Sequence, residues 1–342
     1  KCGDIHLVVD GVAFQIFAAR PEGIMRVWAS VLPAMLGRLS EFEGTCLTLI
    51  VRGMASPPRF IEEAFSMHQS DRFEVTHLPP YNPSFGFVAD RLLLSWFVRS
   101  VGATAFVSTL YTQPFLATTP NVARVVLVHD VLPEVLGWDM STGEWLEKSN
   151  AVSTASSVVA VSQQTARSFL RVYPSPLVGD VGGDARNRNP AQATTPRRRF
   201  RRLAGLDQQT PYVMIVGARG GYKNARAAYR ALGLSTTPTT SASVTATLTG
   251  TESTSLTPGA LALVLVGGGP IQPEEREFLA EVGVWRNVDT IDDRLLAAGY
   301  SGAAALLHLT LAEGFGLTVL EAFACGCPVV ASDIPSTREI AG

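Results

Sequence analysis

The stretch from Leu311 to Ser332 reads LAEGFGLTVLEAFACGCPVVAS, and the interpretation of the whole chain starts from it. The pattern predicts three units in order: a glycine-containing loop, a helix through the apolar run LEAFACG, and a short buried strand at VVAS. A loop that leads into a helix presents free backbone N–H groups and the positive end of the helix dipole. Helix starts of this kind bind anions, and phosphate is the usual one.

Two carboxylates flank this predicted anion site. Glu313 lies in the loop, and Glu321 follows after seven intervening residues, in the first turn of the predicted helix. Carboxylates accept hydrogen bonds from hydroxyl groups, so phosphate donors and hydroxyl acceptors together suggest a nucleotide sugar. An alternative stays open for Glu321, because Thr318 and Glu321 have the spacing of a capping box. Gly314 and Gly316 also fit a tight turn that needs positive φ.

The same stretch resembles the signature of retaining glycosyltransferase family 4, in which seven residues separate two glutamates. Thr310 and Thr318 replace the serine and the proline that this family usually carries. The resemblance implies an α/β protein of the GT-B fold, in which two Rossmann-like doubly wound domains face a central cleft. It also implies that Glu313 has a catalytic role by orienting the donor sugar, and that Glu321 contacts the ribose. We further assign Gly314 and Phe315 to the donor sugar, and Gly316, Leu317 and Thr318 to the donor diphosphate.

A second strand–loop–helix unit precedes this stretch. A strand pattern at 212–216 leads into the loop GARGGYKN, and a helix pattern begins at Ala225. The loop lacks the spacing of a P-loop, but it places Arg219 and Lys223 near the helix start. A planar guanidinium and a compact ammonium both suit a pyrophosphate. The loop resembles the family's V-G-x-R-x-x-x-K-N motif, which implies that both cations hold the donor diphosphate. A pair of surface cations on a turn is the alternative.

The first half of the chain predicts alternating strands and helices. The continuous apolar run RVVLV at 124–128 leads into His129 and Asp130, and side chains at that end of a parallel strand face the ligand crevice. The segment resembles the family's H-D-x-x-P segment, which implies that His129 lies near the reaction centre and Asp130 in a cleft loop. A structural His–Asp pair is equally open. Gly23 resembles part of the family's glycine-rich loop, with a plain turn as the alternative.

Composition predicts the domain boundaries. The resemblance implies that residues 1–178 form an N-terminal, acceptor-side Rossmann-like domain and that residues 211–342 form a C-terminal, Rossmann-like, nucleotide-sugar-binding domain. Composition predicts a low-complexity insertion at 234–258 in the second of them. Residues 179–210 are rich in Pro, Gly, Asn and Arg, which is typical of a partly disordered linker. The chain opens with Lys rather than Met and stops just after a predicted capping box at 336–339. We therefore expect a fragment that is truncated at its C-terminus.

The overall composition excludes several classes of protein. The 342 residues carry a net charge of −2, so nucleic acid is not an expected partner. No apolar run reaches the length of a membrane span, and we expect neither a membrane-spanning segment nor a signal peptide. We expect a cytoplasmic protein or one at the cytosolic face of a membrane, and peripheral membrane contact stays open. The spacing of the four cysteines fits neither a zinc site nor a disulfide framework, which predicts reduced, buried thiols.

The resemblance implies a retaining hexosyltransferase. It would move a mannose-, glucose- or rhamnose-type sugar from a nucleotide diphosphate sugar to a hydroxyl of a glycan or another acceptor. Cations and helix N–H groups would stabilise the leaving diphosphate; the D-x-D motif of metal-dependent transferases is missing, so no metal or other cofactor is expected. A nucleotide-sugar epimerase on the same fold and a degenerate binding protein are the alternatives. A dinucleotide-binding oxidoreductase is disfavoured, because no G-x-G-x-x-G follows the first strand.

Overall fold

The computed structural model describes residues 4–18, 23–67, 71–82, 87–173, 178–179, 194–235, 261–289 and 291–342. The chain divides into two compact units, Lys1–Gly183 and Asp184–Gly342. Each unit is a parallel sheet covered by helices, as the alternating strand and helix patterns predict. Residues 236–258 of the predicted insertion lie outside the described residues.

The first unit is a doubly wound sheet. Its strands are β1 (Ile5–Asp10), β2 (Thr45–Arg52), β3 (Phe73–Leu78), β4 (Ala105–Ser108), β5 (Ala123–Val128), β6 (Ser157–Ala160) and β7 (Val178–Gly179). Its helices are α1 (Val12–Ile16), α2 (Gly23–Arg38), α3 (Arg59–Met67), α4 (Phe87–Ser100), α5 (Leu132–Val135), α6 (Gly143–Ser153) and α7 (Gln163–Val172). All described pairings are parallel, in the order β3-β2-β1-β4-β5-β6-β7.

Burial on both faces explains why these strands read as continuous apolar runs. Every residue of β2 is buried, since helices cover the sheet on both sides. The amphipathic pattern of α2 places Trp28, Leu32 and Leu36 in the core, and the Trp28 indole donates to the carbonyl of Thr109 just after β4 (2.9 Å). A buried ion pair, in which the Arg52 guanidinium donates to Asp10 at 2.8 Å, joins the carboxyl ends of β1 and β2.

The second unit repeats this architecture with fewer described strands. They are β8 (Tyr212–Val216), β9 (Ala262–Val266), β10 (Trp285–Val288), β11 (Ala305–His308) and β12 (Val329–Ala331). The helices are α8 (Thr194–Leu203), α9 (Ala225–Ser235), α10 (Pro273–Val282), α11 (Asp293–Gly302), α12 (Leu317–Ala324) and α13 (Pro335–Ala341). In the strand order β10-β9-β8-β11-β12, the chain winds from β8 to β10 toward one edge of the sheet and from β11 to β12 toward the other, so the winding direction reverses between β8 and β11. Ligands of open α/β sheets bind at the carboxyl ends of the strands beside such a reversal.

The prediction of a linker at 179–210 is wrong where helix α8 lies. Its residue Phe200 is fully buried in the core of the second unit and stacks on Tyr212, with ring centroids 5.8 Å apart. A Cβ at Gly299 would lie 2.7 Å from the Phe200 ring, so α11 approaches closely there. Composition missed this helix because arginines dominate it and a single aromatic anchors it. Residues 180–193 of the predicted linker lie outside the described part.

Two further expectations need correction. Helix α13 is present near the end of the chain, but the predicted capping box at 336–339 is wrong, because the helix begins at Pro335 and Ile334 provides no side-chain cap. Cys325 and Cys327 are free thiols, whereas Cys46 is disulfide-bonded, so the prediction of a reduced thiol is wrong there. Cys46 on β2 lies opposite His6 on the neighbouring parallel strand β1. Spacing in the sequence does not show that Cys46 lies close to the start of β1.

Within the described ranges, we find no helix that combines the length and the apolar character needed to cross a membrane.

Candidate functional site

Two loops lie side by side at the carboxyl edge of the second sheet, one after β8 and one after β11. The amide of Leu311 donates to the carbonyl of Tyr222 (2.7 Å), and the Thr310 hydroxyl donates to the same carbonyl (3.1 Å). Asn224, whose φ is +53°, donates its side-chain amide to the carbonyl of Leu309 (3.0 Å). These hydrogen bonds hold the Lys223 loop against the Glu313 loop.

Lys223 and Glu313 form an ion pair between these loops. The Lys223 Nζ lies 2.5 Å from the Glu313 Oε1, and their side chains are 25% and 12% exposed. The lysine ammonium also lies 5.3 Å from the centre of the Tyr222 ring. Residues far apart in the sequence, to which we assigned the diphosphate and the sugar, are thus in direct contact at the sheet edge. A ligand with a diphosphate next to a sugar would offer an anion to the Lys223 ammonium and hydroxyl groups to the Glu313 carboxylate.

His308 is part of this site, although the sequence analysis did not single it out. It is the last residue of β11, its side chain is buried, and its Nε2 lies 3.5 Å from the Glu313 Oε1. Its Nδ1 is hydrogen-bonded to the Thr318 hydroxyl at 3.2 Å. Burial and the nearby Lys223 charge lower the pKa of His308 to about 4, so the imidazole is neutral at pH 7. Its position at the end of an apolar strand, the signal that drew attention to His129, could have identified it.

Helix α12 begins at the predicted anion site. Gly316 precedes it with φ of +96°, a left-handed conformation that glycine adopts readily. The Val319 amide donates to the carbonyl of Gly316 (3.0 Å), and among the described residues we find no acceptor for the amides of Leu317 and Thr318. The alternative capping box is wrong, because the helix starts before Thr318 and lacks a side-chain cap. Two amides and the dipole end therefore point to an anion here.

Glu321 lies in the second turn of α12. The Tyr300 hydroxyl on α11 donates to its Oε2 at 3.2 Å, so one carboxylate oxygen is already oriented by a neighbouring helix. Its assignment to the ribose stays a prediction. The same holds for Gly314 and Phe315, which lie in the loop between Glu313 and the helix start.

Arg219 is placed differently from Lys223. Its side chain is 5% exposed and ion-paired with Glu275, with the Nε and Oε1 atoms 2.6 Å apart. Its terminal nitrogens donate to the carbonyls of Gly267 (2.5 Å) and Gly269 (2.9 Å). The Tyr229 hydroxyl donates to the same Glu275 oxygen at 2.5 Å. Arg219 thus holds the glycine loop after β9, and its assignment to the diphosphate stays a prediction.

His129 and Asp130 lie at the corresponding edge of the first unit, after β5. Burial, and then the charge of Lys148, lower the pKa of His129 to about 4, and its Nε2 is buried without a hydrogen-bond partner in the described structure. The Asp130 carboxylate accepts a hydrogen bond from the amide of Leu132 (3.1 Å). A place for His129 near the reaction centre and the alternative of a structural His–Asp pair both stay predictions. Lys148 donates to the Asp130 carbonyl (2.9 Å) and so fixes this loop.

The last predicted site residue, Gly23, is the first residue of α2, and residues 19–22 before it lie outside the described part. Its role in a ligand loop therefore stays a prediction.

Comparison with known proteins places this geometry in context. Residues 252–342 match the family model described as "Glycosyl transferases group 1". The O-antigen chain mannosyltransferase B of Escherichia coli is 39% identical over 57 residues. That alignment covers 17% of this chain and 15% of the relative, so the chain matches only a small part of that protein.

Solved structures match nearly the whole chain. WaaG, a glycosyltransferase involved in lipopolysaccharide biosynthesis, has a TM-score of 0.60 at 15% identity, covering 98% of this chain and 84% of that one. Sucrose-phosphate synthase from Thermosynechococcus elongatus has a TM-score of 0.59 at 17% identity, with coverages of 97% and 82%. HepE of Anabaena, solved with UDP-glucose, has a TM-score of 0.58 at 15% identity, with coverages of 98% and 82%.

The chain has the GT-B fold. The two doubly wound sheets correspond to the two Rossmann-like domains expected from the sequence.

Proposed function

We propose that this protein is a retaining, metal-independent glycosyltransferase that moves a hexose from a nucleotide diphosphate sugar to an acceptor hydroxyl. The observation that carries the proposal is the contact between Lys223 and Glu313 at the carboxyl edge of the second sheet, beside the start of α12. A cation, free amides and a carboxylate within one site match the diphosphate and the hydroxyl groups of such a donor. The match of residues 252–342 to the glycosyl transferases group 1 model supports the same reaction class.

The chemistry follows from where charge develops. As the bond between sugar and phosphate breaks, negative charge grows on the leaving diphosphate. Lys223 and the amides of Leu317 and Thr318 would bind that charge more strongly in the transition state than in the bound donor, which lowers the barrier. Glu313 would accept hydrogen bonds from the donor sugar and fix its orientation. The departing phosphate itself would take the proton of the acceptor, so no further base and no metal is required.

The nature of the donor remains part of the proposal. Mannose-, glucose- and rhamnose-type donors all fit the pair of cation and carboxylate. The partial relative is named as a mannosyltransferase, and HepE was solved with UDP-glucose. GDP-mannose and UDP-glucose are therefore the first donors to test, with a dTDP sugar as the third. The acceptor is proposed to be a glycan or another hydroxyl compound.

Membrane contact is a separate part of the proposal. Val88, Leu92 and Trp96 lie on successive turns of α4 and are 62%, 55% and 64% exposed. Apolar side chains that include a tryptophan suit the interface of a lipid bilayer. Co-sedimentation with vesicles of phosphatidylglycerol and phosphatidylcholine tests this contact, and loss of binding in a Leu92→Ser, Trp96→Ser variant supports it. A wild-type protein that stays in the supernatant contradicts it.

Calorimetric titration with GDP, UDP and dTDP in the presence of EDTA tests the donor site. We expect one nucleotide to bind the wild type, and Lys223→Ala to weaken that binding by about 10-fold or more, because a charged hydrogen bond contributes about 1.5–3 kcal/mol. Arg230→Ala is the matched control, since it removes an exposed cation from helix α9, which follows the Lys223 loop. Equal losses in both variants would indicate a general charge effect.

The alternatives predict different products. With the preferred nucleotide sugar and water as the acceptor, proton NMR shows which anomer of the free sugar forms first. Retention supports the proposed mechanism, whereas inversion contradicts it. An epimerase would give the epimeric sugar instead. A degenerate protein would bind the nucleotide sugar without turnover. If a folded wild-type protein binds none of the three nucleotides, the proposed donor site is wrong.

A further inference from the structure

His308 lies between two residues to which the sequence assigned separate roles. Its Nε2 is 3.5 Å from the Glu313 Oε1, and its Nδ1 is 3.2 Å from the Thr318 hydroxyl oxygen. The Nε2 is inaccessible and has no hydrogen-bond partner in the described structure. A buried polar nitrogen without a partner costs free energy, so it is an unusual feature that needs an explanation. The 3.5 Å separation is too long for a good hydrogen bond, but it is short enough to close by a small shift.

Electrostatics determines which nitrogen carries the proton. A neutral imidazole has one N–H and one lone pair. If the lone pair were on Nε2, it would face a carboxylate oxygen of Glu313, which is repulsive. The tautomer with Nε2–H avoids that repulsion and leaves Nδ1 to accept from the Thr318 hydroxyl. The imidazole therefore holds an N–H directed at Glu313 while Lys223 occupies the same oxygen at 2.5 Å.

Resting on the proposed function, we propose that His308 is a positioning residue that takes over Glu313 when the donor diphosphate attracts Lys223. In the structure, Lys223 holds the Glu313 oxygen. A bound diphosphate carries more negative charge than one carboxylate and draws the lysine toward itself. The His308 Nε2–H then closes on the freed oxygen and keeps the carboxylate aimed at the donor sugar.

The same arrangement defines what Thr318 contributes. Its hydroxyl donates to the His308 Nδ1, so it has no proton left for a phosphate oxygen. Thr318 would then serve the diphosphate through its backbone amide at the start of α12, as Leu317 does. His308 thus connects the carboxylate of the sugar side with the helix start of the phosphate side.

Two matched substitutions test this inference. His308→Gln retains an N–H close to the position of Nε2, and His308→Asn retains a polar group close to Nδ1 but none at Nε2. The affinities of UDP, UDP-glucose, GDP and GDP-mannose are measured by calorimetry for each variant. We expect His308→Asn to weaken the nucleotide sugar by about 10-fold or more, as expected for one hydrogen bond to a charged group, and to weaken the free nucleotide less, because only the nucleotide sugar contacts the positioned carboxylate. His308→Gln should stay within about 2-fold of the wild type for both ligands.

The outcomes separate this inference from the proposed function. In a Glu313→Gln background, His308→Asn should have no further effect, because the carboxylate that it positions is gone. If His308 only supported the fold, His308→Asn would weaken the binding of the nucleotide and of the nucleotide sugar equally. Thermal unfolding of each variant shows whether the fold is intact. If the wild type prefers the nucleotide sugar and His308→Asn retains that preference, the inference is overturned while the proposed function stands. If the wild type binds no nucleotide, the proposed function fails, and the inference with it.

Discussion

Arg219, a buried arginine of the second unit, provides a demanding test of the structure. Replacement of Arg219 by leucine removes the guanidinium but keeps an apolar side chain as far as Cδ. The contacts that disappear include the ion pair with Glu275 at 2.6 Å and the hydrogen bonds to the carbonyls of Gly267 and Gly269 at 2.5 and 2.9 Å. The Glu275 carboxylate then keeps the Tyr229 hydroxyl as a neutral partner.

The magnitude follows from these losses. Breaking a buried ion pair costs about 3–5 kcal/mol, because the remaining charge is left without its counter-ion. The side chain of Glu275 is 14% exposed, so water compensates in part, and we expect about 3 kcal/mol of lost unfolding free energy. For a unit of this size, that corresponds to a melting temperature lower by about 6–12 °C.

The assay is urea unfolding of Arg219→Leu, Glu275→Leu and the double variant. The double variant should lose less than the sum of the single losses, with a coupling of about 1–3 kcal/mol, because it leaves no orphaned charge. Arg230→Leu is the control: this arginine is exposed and stacks on Phe278 at 5.6 Å. Its loss should be within about 0.5 kcal/mol of zero.

One result would refute this reasoning. If Arg219→Leu changes the unfolding free energy by less than about 1 kcal/mol, yet weakens nucleotide binding by about 10-fold, Arg219 does not brace the glycine loop. It would then serve the diphosphate, as the resemblance implied.

Three further predictions concern histidines, glycines and the first unit. Because burial lowers the pKa of His308 and of His129 to about 4, each is neutral in the folded protein and charged when unfolded below pH 6.5. Stability is therefore fully present above pH 6.5 and falls toward pH 4, by up to about 1.4 kcal/mol per pH unit for each histidine, and glutamine at either position should reduce that slope in urea unfolding between pH 7 and 5. Gly268→Ala should cost more unfolding free energy than Gly316→Ala in the same assay, because its Cβ would lie 2.4 Å from a carbonyl oxygen, against 3.1 Å from a flexible side chain at Gly316. Arg52→Leu should destabilise the first unit by about 3–5 kcal/mol, since it leaves two aspartates without their shared cation, and an unchanged melting temperature would contradict this.

The alternating strand and helix patterns were enough to predict two doubly wound units. Continuous apolar runs such as those at 124–128 and 212–216 identify strands that are buried on both faces, and local periodicity determines the helices between them. The sequence likewise singled out Lys223 and Glu313, because loops that lead from strands into helices place their side chains at the ligand edge. These conclusions need only the chemistry of neighbouring residues.

Tertiary structure decided which of these residues meet. No local pattern shows that Lys223 pairs with Glu313, that Arg219 is directed into Glu275, or that His308 lies beside Glu313. Those contacts depend on the order of β8, β9 and β11 in the sheet, which brings together loops far apart in the chain. The helix α8 was missed for a related reason: one phenylalanine among arginines has no periodicity, and its packing against Tyr212 exists only in the folded unit. The sequence alone thus determined the elements and the chemical groups at their ends, whereas strand order and long-range packing determined which groups act together.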